Sequence, residues 1–154
     1  MAPEPLAVLL LPAALEDFAL REHAEALLRA PGVVAIEPGR TPYASVLSIP
    51  PRAVTRMARG QAGRLVRRLP GRVAVVVVFD ALQWPLAEQL LARVRGAELW
   101  LAQGAAVEPG SDRLRALREE LAAAAAFAYA ADAPAAEVTA QLLERLRARG
   151  VRVD

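Results

Sequence analysis

Val73–Phe79 reads VAVVVVF, an unbroken apolar run in which five of the seven residues are valine. A half-exposed strand alternates apolar and polar residues. A run with no polar position is the signature of a strand buried on both faces, as in parallel sheets covered by helices on each side. β-branched side chains suit the pleated, packed surface of such a strand. The run is therefore placed at the centre of a sheet. Pro70-Gly71 turns the chain into it and Asp80 stands at its carboxyl end.

Working outward, the same alternation of buried strand and amphipathic helix recurs. Towards the amino terminus, Arg52–Leu69 has helical spacing of Val54, Met57, Ala58, Leu65, Val66 and Leu69, interrupted by Gly60 and Gly63. Each glycine weakens a helix by about 1 kcal/mol relative to alanine. Before it, Leu6–Leu11 (LAVLLL) is a second continuous apolar strand, Ala14–Ala30 a helix closed by Pro31-Gly32, and Val33–Ile36 a short strand. Glu37–Pro51 is irregular and proline-rich, with room for a short extended piece at Tyr43–Ile49.

Towards the carboxyl terminus, Leu82–Val94 is a helix with Pro85 in its first turn, where the missing N–H does no harm. Glu98–Ala102 is a strand, and Ser111 or Asp112 caps a helix running to about Ala126. Phe127–Ala131 reads as a strand. Asp132 caps a last helix ending at Arg149, with Pro134 in its first turn, and Val151–Val153 reads as a final strand. The pattern predicts a single three-layer α/β/α domain over residues 1–154. Its sheet is mostly parallel, Rossmann-like or flavodoxin-like, with about six strands.

Composition limits the chemistry. The chain has 154 residues, enough for one well-buried core. Cysteine is absent, which removes thiolate nucleophiles, disulfides and cysteine metal sites. All 19 basic residues are arginine and asparagine is missing, a bias expected of GC-rich coding. The amino-terminal run is broken by Pro12, Glu16 and Asp17 and lacks a basic leader, so a cytoplasmic location is expected.

In open α/β sheets, ligands bind outside the carboxyl ends of the strands. The first such turn, LPAALED, has no glycine, serine or threonine. That argues against a dinucleotide, P-loop or flavin phosphate site, so no cofactor is expected. No metal is expected either, because His23 is the only histidine and sits mid-helix without sequence neighbours that would form a site. Ser45, Ser48 and Ser111 lack a nucleophile-elbow context.

The candidate ligand-binding residues are Asp80, Trp84 and Asp132. Each has a second reading. The two aspartates suit helix N-caps, and Trp84 suits either a crevice wall or packing under a helix start. Trp100, inside a strand, is expected in the core. Arg52–Arg72 holds seven arginines, and no acid occurs between Glu37 and Asp80. On a helix, Arg52, Arg56, Arg59, Arg67 and Arg68 form a candidate face for an anionic membrane surface, nucleic acid or an acidic partner. The other reading is a solvated helix face. Aromatic residues are absent from the segment, so it carries no specific nucleic-acid signature.

One resemblance adds to this. Leu69–Leu101 (LPGRVAVVVVFDALQWPLAEQLLARVRGAELWL) resembles the N-terminal half of GT-B-type glycosyltransferases, in which a strand ending in Asp leads into a D-x-x-x-x-P helix opening and then a strand carrying an aromatic residue. Ala126–Asp154 is similar to the part of those domains just before the chain crosses to a second domain. The resemblance implies an acceptor-side domain for a sugar or lipid-linked acceptor, with Asp80 and Trp84 near it. It further implies little catalysis by this chain alone, because the donor mainly binds the second domain. The alternative expectation is a non-catalytic α/β interaction module that binds a partner chain or self-associates.

Overall fold

The computed structural model describes residues 4–11, 24–36, 48–79, 81–102, 111–128 and 134–154. The strands are β1 (Pro5–Leu10), β2 (Val33–Ile36), β3 (Arg72–Val78), β4 (Glu98–Leu101) and β5 (Phe127–Ala128). The helices are α1 (Ala24–Arg29), α2 (Pro51–Arg68), α3 (Trp84–Arg93), α4 (Asp112–Ala124) and α5 (Ala135–Ala148). Strands and helices alternate along the chain as the apolar runs predict.

The strands form one sheet in the order β2-β1-β3-β4-β5, and every pairing is parallel. This is the flavodoxin-like order among three-layer α/β folds. β3 is the middle strand. From Val73 to Phe79 it is buried throughout, and its side chains divide between the two faces of the sheet. Burying one valine or leucine is worth about 1.5–3 kcal/mol, so this strand and β1 carry much of the core. An irregularity in the β1–β3 register at Leu6/Ala7 leaves Ala74 as an extra residue in β3. Ala74 and Val75, neighbours in the chain, consequently fall in the same core, where a regular strand would alternate.

One core contains Leu27, Val138, Leu142 and Leu146, so α1 and α5 cover that face. The other contains Val54, Ala62, Leu86, Leu90, Leu117 and Leu121, so α2, α3 and α4 cover the second. Trp100 lies in the first core as expected, with its ring edge-on to Phe127. Its indole Nε1 donates to Glu98 Oε2 at 2.9 Å.

Among the described residues the sheet has five strands rather than the expected six. Val151–Val153 is apolar enough for a strand but does not form one. Gly150 takes a left-handed conformation (φ +85°), which lets α5 end in two reversed hydrogen bonds. Gly150 N–H donates to Arg147 C=O at 3.0 Å and Val151 N–H to Leu146 C=O at 2.9 Å. This is a Schellman cap, and its usual hydrophobic contact is supplied by Val151 joining Leu146 in the core. The chain then passes close to the start of β2, where Gly32 N–H donates to Arg152 C=O at 2.7 Å. A Cβ at Gly32 would stand 2.7 Å from Arg152 N, so only glycine admits this approach.

Smaller differences lie at helix starts. Ala81–Gln83 forms a 3-10 turn, so α3 begins at Trp84, two residues after the expected Leu82. Pro134, not Asp132, occupies the N-cap of α5. Ser111 resolves the choice at α4, because its Oγ accepts from Leu114 N–H at 3.1 Å. Among the described residues, no helix is long and apolar enough to cross a membrane.

Candidate functional site

With β1 neighbouring both β2 and β3, the chain reverses its direction of sheet growth between β1 and β3. A crevice is expected outside the carboxyl ends of those two strands. That place is held by a residue the sequence reading passed over. Gln83 is 1% exposed, at the end of the 3-10 turn. Its Oε1 accepts from Phe79 N–H at 2.6 Å, and its Nε2 donates to Leu10 C=O at 2.6 Å. One side-chain amide thus ties the ends of β1 and β3 together across the switch point. A single glutamine after an apolar strand gives no signal of this in sequence. Asp80, Asp132 and His23 lie outside the described residues.

The structure places Trp84 at the first residue of α3. It packs under the start of α3 in the second core and is 6% exposed. It also lines a cleft of about 280 Å³ formed where α2, α3 and α4 begin. Val54, Pro85 and Leu117 supply more apolar wall, and Thr55, Glu88, Arg113 and Glu120 supply polar groups. Arg113 Nη1 donates to Ile49 C=O at 3.2 Å, which ties α4 to the segment leading into α2. Burial pushes the Glu88 carboxyl above the usual carboxylate range, and the charge of Glu120 pushes it further the same way.

The basic face of α2 is partly as expected. Arg52, Arg56 and Arg59 line one shallow groove with Pro51 and Thr55, of about 410 Å³. Arg56, Arg59 and Arg67 line a second, of about 510 Å³, over Gly60 and Gly63. Arg68 is exposed but lines neither groove, since one residue further turns the side chain about 100° around the helix. The second groove contains a residue missed in sequence, Arg93 from the last turn of α3. Its Nη2 donates to Arg59 C=O at 3.4 Å. A Cβ at Gly63 would come within 3.2 Å of that same nitrogen, so the guanidinium rests where a side chain would otherwise be. Arg67 Nε donates to Gly63 C=O at 3.2 Å. Among the described residues, no carboxylate pairs with Arg52, Arg56, Arg59, Arg67 or Arg93.

Two substitutions test this account. Gln83→Leu removes both amide hydrogen bonds while keeping side-chain bulk. It should lower unfolding stability in urea by about 2–4 kcal/mol, with little change in m value. Glu88→Gln tests the cleft. The folded protein holds the Glu88 proton more tightly than the unfolded chain, so ionising this carboxyl costs stability. The cost is absent below the ordinary glutamate value of about 4.3 and grows as pH rises through the raised folded value. Glu88→Gln should therefore melt higher than wild type at pH 7, with the difference closing as pH falls towards 4.

No family model, curated protein or solved structure matches the chain, so its function rests on the geometry of these two regions.

Proposed function

We propose that this chain is an α/β binding module that engages an anionic membrane surface through the outward face of α2. The observation that carries the reading is the row Arg52, Arg56, Arg59 and Arg67, joined by Arg93, with no carboxylate pairing among the described residues. An arginine on a solvated face commonly finds an i,i+4 acid, as Arg29 does with Glu25 at 2.6 Å. On α2 that partner is missing over the whole helix, because Pro51–Arg68 contains no acidic residue. From Arg52 to Arg67 the row runs roughly 22 Å along the helix, at 1.5 Å per residue. A positive face of that length attracts anionic headgroups, each basic residue near the surface adding about 1 kcal/mol.

A second reading places a sugar-bearing acceptor in the cleft at the starts of α2, α3 and α4, as in an acceptor-side glycosyltransferase-like domain. It is supported by the combination there of an aromatic wall, Trp84, with the polar groups of Thr55, Glu88 and Arg113.

Vesicle co-sedimentation tests the first reading. Wild type should bind phosphatidylserine-containing vesicles at low salt and release at about 0.5 M salt, where the Debye length falls to a few ångströms. The triple variant Arg52→Gln, Arg56→Gln, Arg59→Gln should bind roughly 100-fold more weakly, from about 1 kcal/mol per charge. Unchanged binding by the triple variant, or no binding by wild type at low salt, rejects the reading. Tryptophan emission and melting temperature across a panel of sugars and sugar nucleotides test the second. A ligand-induced emission change that Trp84→Phe abolishes supports it, and no response in either observable removes it.

A further inference from the structure

We propose that the groove between the outer face of α2 and the last turn of α3 is a binding site for a phosphoryl group, held by Arg56, Arg59, Arg67 and Arg93. The site rests on the anionic-surface reading of α2 but adds a requirement for shape, since a membrane needs only charge.

The groove is built by two glycines. Gly60 and Gly63 leave bare helix backbone as its floor. At Gly60 an added Cβ would meet Arg64 Nη1 at 3.5 Å, an ordinary contact, so a methyl group fits there while a longer side chain would compete with the guanidinium. At Gly63 the corresponding space is taken by the guanidinium of Arg93. Two of the arginines are held by backbone carbonyls. Arg67 donates to Gly63 C=O and Arg93 to Arg59 C=O, which orders their forks along the floor. Arg93 comes from a different helix, so the charge in the groove is assembled by the α2–α3 packing and not by the α2 sequence alone.

Guanidinium groups on an apolar-and-glycine floor suit a tetrahedral oxyanion. Each fork can give two parallel N–H donors to phosphate oxygens, which a point charge cannot do. A lone carboxylate offers two oxygens and is satisfied by one fork. A phosphoryl group offers three oxygens and up to two charges, and so can engage several forks. The volume of about 510 Å³ leaves room for the group that carries the phosphate. Arg67 and Arg93 also lie in last helical turns, where a positive charge favours the helix by itself. That role predicts an effect on melting temperature and none on ligand affinity.

The test is titration calorimetry of the full chain with inorganic pyrophosphate at fixed ionic strength. Arg93→Gln and Gly60→Leu should each weaken binding about tenfold or more, while Arg52→Gln, which removes the same charge outside the groove, should change it less than about twofold. Gly60→Leu keeps every charge and fills the floor, and leucine is the better helix former, so the variant should fold. Gly60→Ala, which improves the helix without filling the groove, should retain wild-type affinity. Equal weakening by Arg93→Gln and Arg52→Gln with no effect of Gly60→Leu overturns the site and leaves the charged face standing. Loss of vesicle binding in wild type with pyrophosphate binding intact rejects the membrane reading and keeps the site. Vesicles of phosphatidic acid and of phosphatidylserine at matched surface charge identify the source of the phosphate. If it is a lipid headgroup, Gly60→Leu weakens binding to phosphatidic acid vesicles selectively. If it is a soluble ester, Gly60→Leu weakens pyrophosphate alone. Either pattern supports the site.

Discussion

β3 can exist only if neither of its faces touches water. A run of valines with no polar position has nothing to show to solvent, so it must be flanked by strands on both edges and covered by helices on both faces. β1 and β4 supply the edges. α5 with α1, and α2 with α3 and α4, supply the two covers. Parallel strands need crossovers, and each crossover here is a helix with one apolar stripe. The outward faces of the helices are then free to carry whatever charge the sequence assigns, and this is where α2 differs from its neighbours.

The switch point of the sheet illustrates how a buried core deals with its own backbone. At the ends of β1 and β3 the ladder stops, and the groups beyond it must find partners or reach water. Gln83 meets two of them with one amide, donating to Leu10 and accepting from Phe79. Trp84, the next residue, turns the opposite way into the helical layer and becomes the wall of the cleft between α2, α3 and α4. Two adjacent residues thus tie the strand ends together and shape the cleft beside them.

Most of the architecture was legible because strands buried on both faces leave continuous apolar runs, as LAVLLL and VAVVVVF do. The sixth strand was misread because Val151–Val153 has strand composition. Its fate is decided by the left-handed Gly150 and by the close approach at Gly32, which are tertiary facts. On α2, the missing acids were visible in the sequence. Arg93 was not, because its membership of the groove depends on how α3 packs beside Gly63. Gln83 was not, because a buried amide differs from an exposed one only in what surrounds it. The strand order, which decides where the crevice lies, is likewise set by packing.

The absence of lysine gives the α2 face a property beyond its charge. Guanidinium groups do not lose their proton under conditions in which proteins function, and they offer no amine for acylation. The face therefore offers no amine to be chemically capped in the way a lysine patch can. A phosphate monoester held there, whose second ionisation falls near pH 6, would bring an acidity dependence of its own. The protein would then report its ligand's ionisation, gripping the dianion and loosening on the monoanion.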